Sequence, residues 1–250
     1  FDRPMLVQYG EWLISALQFD FGQSYYFRMP VSDLISERLG VTMTLGLCGI
    51  TFAILTAVPL GVAAAIRPNS LIDRVALLLS VAGQAMPSFW FGLILIVIFA
   101  IQLGWLPPSG ASSPAHFVMP TIVLGYYAMP AIMRLTRAGM LDVLSSDYIR
   151  TARAKGAPEG RVLFRHALRN AIIPVVSLAA VQMGFMLGGS IVVESIFALH
   201  GAGYLAWESI ARNDLPTVQA LILIFSMFYI VFTFLADVLN AWLDPRMRSS

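Results

Sequence analysis

The side chains that could do chemistry are few and scattered. His116, His166 and His200 lie far apart, no His-Glu-x-x-His spacing occurs, and the one cysteine, Cys48, sits in an apolar run. A metal site needs such donors brought together, so this pattern argues against one, and a single cysteine excludes an intrachain disulfide. The sequence has no Gly-x-x-x-x-Gly-Lys-Ser/Thr phosphate loop and only one lysine, Lys155. This chain is therefore not itself an ATPase. Ser109 and His200 have the residue types of a nucleophile and a base, but nothing in the sequence brings them together. What does cluster is charge. Between 144 and 170, Arg150, Arg153, Lys155, Arg161, Arg165 and Arg169 face only Asp147 and Glu159.

The elements around this cluster are apolar. Of the 250 residues 58% are hydrophobic and 12% charged, and mean hydropathy is +0.77. Soluble domains carry about a quarter charged residues, so the chain reads as a membrane protein. The net charge of +2 is too small to suggest nucleic acid as a partner. A spanning helix needs about 20 mostly apolar residues. Five stretches qualify, at about 39–66, 75–103, 117–141, 171–193 and 215–236. The second is broken by Met86-Pro87-Ser88, and the third reaches full length if Arg134 and Arg137 snorkel toward an interface.

Loop charge sets the orientation. With 144–170 on the cytoplasmic side, twelve basic residues fall inside, and only Arg3, Arg28, Arg38 and Arg212 fall outside. Residues 1–38 are then extracytoplasmic, with Val31, Leu34, Ile35 and Leu39 spaced as a short interfacial helix. The tail 244–250 is cytoplasmic. An outside N-terminal segment with no leader implies a preceding span, which would make six with both ends inside.

The basic segment has a shape of its own. Tyr148–Lys155 suits one short helix stopped by Gly156, and Pro158-Glu159 suits the start of another. Arg161, Arg165 and Arg169 then form a basic stripe beside an apolar one of Phe164, Leu168 and Ala171. Binding of anionic lipid explains the stripe, but not the length or the Gly-Ala-Pro break.

Tyr148-Ile-Arg-Thr-Ala-Arg-Ala-Lys-Gly156 and Arg165-His-Ala-Leu-Arg-Asn-Ala-Ile-Ile-Pro174 resemble the cytoplasmic signature of permease subunits of bacterial ABC importers, in the dipeptide/oligopeptide/nickel branch. Pro87-Ser-Phe-Trp-Phe-Gly92, Leu103-Gly-Trp-Leu-Pro-Pro-Ser-Gly110, Arg134-Leu-Thr-Arg137, Val192-Val-Glu-Ser-Ile-Phe197 and Leu243-Asp-Pro-Arg246 extend the resemblance over the whole chain. Against the general importer loop, Glu-Ala-Ala-x-x-x-Gly followed by Ile-x-Leu-Pro, only Ala152, Gly156 and Leu168 match. The other substitutions suit the branch. Leu199-His-Gly-Ala-Gly203 replaces its usual Trp-Pro-Gly-Leu-Gly.

The resemblance implies an all-α type I importer transmembrane fold with six spans in the family form. It also implies a second permease subunit, two cytoplasmic ATPases that bind ATP and Mg, and an extracytoplasmic substrate-binding protein. Arg150, Thr151, Ala152, Lys155, Gly156, Ala157, Pro158, Glu159, Phe164 and Leu168 become the ATPase-coupling residues. The cargo is then a di- or oligopeptide, a glutathione-like molecule or a nickel chelate. A secondary transporter would show repeat symmetry and charges at the bilayer midplane, and neither is visible.

Polar residues in or near spans are functional candidates because lipid burial is expensive. Gln84, Gln182 and Glu194 are candidates for the translocation path, and Asp237 reads as a helix-end residue. Ala180, Gly184 and Gly188 form a small-xxx-small stripe, for packing within the chain or against the second permease. The orientation has a direct test in sealed cells. A cysteine at Ser112 should react with an impermeant reagent from outside, and one at Glu159 only after the inner face is opened. External labelling at Glu159 reverses the assignment.

Overall fold

Apolar runs of this length fold as helices because a bilayer offers backbone N–H and C=O no other partner. The computed structural model describes residues 4–243. Its helices in chain order are α1 (Met5–Leu17), α2 (Val31–Ile66), α3 (Leu71–Ala85), α4 (Ser88–Leu95), α5 (Ala115–Leu144), α6 (Asp147–Ala154), α7 (Glu159–Arg161), α8 (Leu168–Ala171), α9 (Ile173–Phe197), α10 (Ala202–Ala211) and α11 (Leu215–Leu243). π-Helical turns at Ile96–Gln102 and Val162–Ala167 continue α4 and join α7 to α8. Among the described residues there is no β-strand, only an isolated bridge between Gln23 and Pro30.

Among the described residues, three helices are long and apolar enough to cross a bilayer unaided: Val31–Ile66, Ala115–Leu144 and Leu215–Trp242. Three further candidate spans are bent pairs of helices. α3 and α4 meet at 105°, the 159–171 arm meets α9 at 51°, and the end of α9 meets α10 at 87°. The stretch 75–103, read above as one span, is thus two helices. Pro87 cannot donate to the ladder, and Met86 before it is pushed to an extended ψ of 122°.

The N-terminal region also departs from the sequence reading. Val31, Leu34 and Ile35 do not form a separate interfacial helix. They are the first turns of α2, buried against Ala202, Leu205 and Ala206 of α10 and Ala220 and Leu221 of α11. The detached short helix is α1, whose apolar residues are largely exposed. The tail 244–250 lies outside the described residues.

Small residues fix the centre of the bundle. One face of α2 carries Thr42, Gly46, Gly49, Ala53, Ala57, Gly61 and Ala64, all buried, at three- and four-residue intervals. A Cβ on Gly61 would stand 2.7 Å from the Met133 carbonyl oxygen of α5. One on Gly125 of α5 would stand 2.6 Å from the Gly49 carbonyl oxygen. Further along the same face, Gly46 meets Met183 and Leu187 of α9. The core formed there holds Leu45, Met119, Ile132, Met133, Leu187 and Phe197, each at most 1% exposed. A second cluster lies under α10, and a third under α6–α8.

Gly125→Val should therefore lower the thermal stability of the purified protein, with overpacking worth about 1–3 kcal/mol. Gly40→Val, with open space around it, should not. Equal effects in a thermal-shift assay would mean that the α2–α5 approach is not as close as described.

Candidate functional site

The charged segment 145–171 folds as a knob with its own small core. Ile149 of α6 is fully buried with Val162, Ala167 and Ala171, on Met140 of α5 and Val62 and Ala65 of α2. α6 ends because Gly156 takes φ +77°. The Gly156 amide donates to the Arg153 carbonyl at 2.9 Å and the Ala157 amide to that of Ala152 at 3.2 Å, closing the helix as a Schellman motif. Nothing lies within 4 Å of a Cβ placed on Gly156, so backbone conformation and not crowding selects glycine.

Two contacts fasten the second half of the knob to the first. Arg153 donates to Glu159 at 2.7 and 3.3 Å, which holds the Glu159 carboxyl below its usual range. Tyr148 accepts from Asn170 at 2.7 Å and donates to the His166 carbonyl at 3.3 Å. The ion pair is solvent-exposed and worth little by itself. The rigidity comes from the buried apolar contacts.

The sequence-derived coupling residues gather here. Thr151, Ala152, Lys155, Gly156 and Ala157 line a 420 Å³ depression with Tyr148, Arg161 and His166. Arg150 pairs locally with Asp147, and Pro158 and Glu159 are exposed at the second helix start. The expected apolar stripe is redistributed by the π turn. Val162, Ala167 and Ala171 face inward, Leu168 is half-buried, and Phe164 is 65% exposed. Ile149 was missed because its apolar side chain is isolated within a basic helix.

The knob continues into α5, and polar contacts tie α5 to α3. Arg137 makes a bidentate pair with Asp73 at 2.6 and 2.8 Å, and Asp73 also accepts from the Asn69 amide at 2.8 Å. Arg134 donates to Ser80 and to Gln84, both at 3.0 Å. These arginines do not only snorkel, because each has partners on α3. The spacing Ser70-x-x-Asp73, a capping signature, was the readable hint. Gln84 is exposed and serves this ladder.

Glu194, the other acidic candidate, is buried at the end of α9. Its carboxylate accepts from Thr42 at 2.7 Å and from the Tyr204 amide at 2.8 Å, while the Ala202 amide donates to Thr42 at 2.8 Å. It thus joins α2 and α9 to the start of α10, where a negative group is favoured. A Cβ on Gly201 would lie 2.6 Å from both Glu194 Oε2 and Thr42 Oγ1. That is why glycine is kept in the otherwise divergent turn 199–203. A parallel clasp, unread in the sequence, is Asp214, which accepts from Ser24, Thr217 and the Tyr25 amide.

The remaining candidates separate. Gln182 and Ala180 are half-buried on α9, and Asp237 is exposed on α11. Gly184 packs on Tyr229 of α11, with a Cβ there 2.7 Å from that ring, whereas Gly188 faces open space. The stripe is therefore packed within the chain at Gly184 and uncovered at Gly188.

A bundle of long apolar helices with one structured, charged knob defines a multi-pass membrane protein. The signature of the binding-protein-dependent transport system inner membrane component matches residues 57–249. The glutathione transport system permease protein GsiC of Salmonella typhi is 43% identical over 247 residues, covering 99% of this chain and 81% of the relative. Its Escherichia coli counterpart is 42% identical over the same coverage. Among solved structures, the inward-facing MetNI methionine ABC transporter shares the fold at TM-score 0.69 and 18% identity, covering 84% of this chain and 96% of that one. An amino acid ABC transporter structure aligns at TM-score 0.59 and 18% identity, over 86% of this chain and 94% of that one. The chain belongs to the family of inner membrane components of binding-protein-dependent transport systems. It is an ABC importer permease and not an enzyme, and it works with ATPase and substrate-binding partners.

Gly201→Ala should destabilise the protein by the overpacking cost of about 1–3 kcal/mol, read as a lowered midpoint in thermal unfolding. Thr42→Val removes one of the carboxylate's donors and should act in the same direction. An unchanged midpoint for both would mean that Glu194 does not hold α10.

Proposed function

We propose that this chain forms half of the translocation path of an ATP-driven importer of short peptides, pairing with a second, homologous permease. Two cytoplasmic ATPases grip the knob 147–170, and an extracytoplasmic binding protein delivers cargo to the opposite face. The C-terminus is cytoplasmic, as the loop charge indicates. The relatives named for glutathione transport support a di-, tri- or oligopeptide as cargo.

The observation that carries the reading is the knob's construction. A loop that only attracts lipid needs charge, but this one has a buried core, a left-handed hinge residue and an exposed Phe164. Such a body can be pushed without collapsing. Because α5 enters it directly at Ser145-Ser146 and the 159–171 arm leaves it toward α9, displacement reaches two membrane helices together. Rigid-body motion of that kind is how an alternating-access cycle is driven. Glu194 is assigned a structural role holding α10, and Gln84 one in the α3–α5 ladder.

The test is Gly156→Val in the reconstituted complex. A β-branched residue at φ +77° is strained by at least the roughly 1–2 kcal/mol per residue of the left-handed region. The spans are untouched, so the subunit should insert and pair. ATPase stimulation by loaded binding protein and uptake should fall together. Normal values of both would make the glycine a passive turn and move the coupling surface elsewhere.

A further inference from the structure

Several hydroxyl groups inside these helices satisfy themselves. Thr44, Thr56, Ser177, Ser195 and Thr233 each donate to a carbonyl four residues earlier in their own helix, and Ser190 to one three residues earlier. Others have no hydrogen bond among the described residues, Ser15, Ser32, Thr121, Tyr126, Tyr204 and the buried Ser209 among them. Those of Ser88, Tyr127, Ser226 and Tyr229 are set apart by lining one cleft.

The cleft has two parts. A 220 Å³ pocket is lined by Ser88, Tyr127, Phe185 and the apolar side chains around them. It adjoins a 640 Å³ groove where Tyr127 and Phe185 recur beside Phe225, Ser226 and Tyr229. Tyr127 and Phe185, 64% and 56% exposed, thus line both parts. Phe185 meets Tyr229 edge-on, with ring centroids 5.3 Å apart. No charged side chain lines either part. The groove's volume is in the range of small-ligand sites, about 300–1,000 Å³, and the pocket beside it is smaller.

Its inner end explains what it is for. Ser88 opens α4 immediately after the Pro87 break, where the chain turns by 105°. The first amides of a helix have no intrahelical partner until, here, Phe91 N–H reaches the Pro87 carbonyl at 3.1 Å. Irregular backbone at membrane depth persists only where protein buries it or where it lines a water-filled cavity. Unpartnered hydroxyls facing hydrocarbon carry a further desolvation cost. Both features have the same remedy, a wet path.

We infer that this cleft, with Tyr127 and Tyr229 at its centre, is the cargo-contacting wall this chain gives to the translocation path. It takes a short peptide through hydroxyl hydrogen bonds to the peptide backbone and through aromatic faces, without charge pairing. This rests on the importer reading above and does not need Gln84 or Glu194 as path residues, since both have partners within the chain. The absence of charge suits transport, since a backbone held by neutral hydroxyls can leave as readily as it enters.

The experiment uses the complete complex with its partner permease, ATPases and binding protein in liposomes, in a Cys48→Ala background. Tyr127→Cys and Tyr229→Cys should react with a water-soluble maleimide, and the side from which they react should change between the nucleotide-free and ATP–vanadate states. Leu55→Cys, exposed on another face of the bundle, should stay unreactive. Trialanine or glutathione delivered by the binding protein should slow labelling by about tenfold when supplied at ten times its Kd. If the tyrosine variants fail to assemble, Ser88→Cys and Ser226→Cys report on the same cleft with smaller changes. Labelling no faster than at Leu55→Cys, or cross-linking to the second permease in its place, overturns the assignment. Labelling that neither probe slows overturns a peptide as the occupant. Loss of binding-protein-stimulated ATPase in the unmodified complex would instead strike the importer reading itself.

Discussion

The contact on which the rest depends is the approach of α2 and α5 with no side chain between their backbones. At Gly61 and Gly125 the opposing carbonyl oxygens stand only 2.7 and 2.6 Å from where a Cβ would be. Lipid is as apolar as leucine, so helices in a bilayer gain little by merely hiding apolar surface from each other. They gain by packing closely, and closeness requires small residues in register. The stripe Thr42, Gly46, Gly49, Ala53, Ala57, Gly61 and Ala64 supplies that register along the length of α2. α9 settles on the same face through Gly46, and the outer turns of α2 receive α10.

On this rigid centre the polar contacts set directions. Asp73–Arg137 and Arg134 with Ser80 and Gln84 hold α3 to α5 near the knob. Glu194 and Asp214 do the same at the other end, for α10 and for the segment before α2. Buried charge is weak evidence for stability, but it is selective, because a misplaced helix leaves it unpaired. The two ends of the bundle are thus keyed by carboxylates, and the middle is left to apolar packing and hydroxyls. α5 runs through all of this, from the Ser113–His116 contact at its start to the knob at its end. α5 thus carries both the α3 ladder, which ends beside the Pro87 break, and Tyr127 of the cleft, so the proposed push on the knob would act on both.

Much of this was legible because the signals were local. The apolar runs gave the helical membrane class, the loop motifs gave the permease family, and the Gly-Ala-Pro break gave the stop of α6 at Gly156. What depended on partners across the fold was not legible. Val31, Leu34 and Ile35 have the spacing of a surface helix, and only α10 and α11, which bury them, show otherwise. The α2 stripe passed unnoticed because threonine, alanine and glycine are ordinary in apolar runs. Gln84 and Glu194 drew attention as lone polar residues in or near spans, yet Arg134, Thr42 and the Tyr204 amide satisfy them from distant segments.

Those partners carry a physical lesson about transport paths. A polar residue in a membrane helix is expensive, so one that has found its partners has already explained its presence. Glu194 accepts hydrogen bonds on both carboxylate oxygens and is fully buried. To serve a passing cargo it would have to break bonds that hold α10 in place. A path residue needs the opposite condition, a polar group left unsatisfied by its own chain and cheap enough to stay so between visits. A tyrosine hydroxyl on a broad apolar ring meets it, since the ring packs and the hydroxyl waits. Tyr127 and Tyr229 are such groups, and the break at Pro87 puts unpaired backbone beside them. The same logic explains why the sequence drew attention to carboxylates and amides, while the structure draws it to phenols.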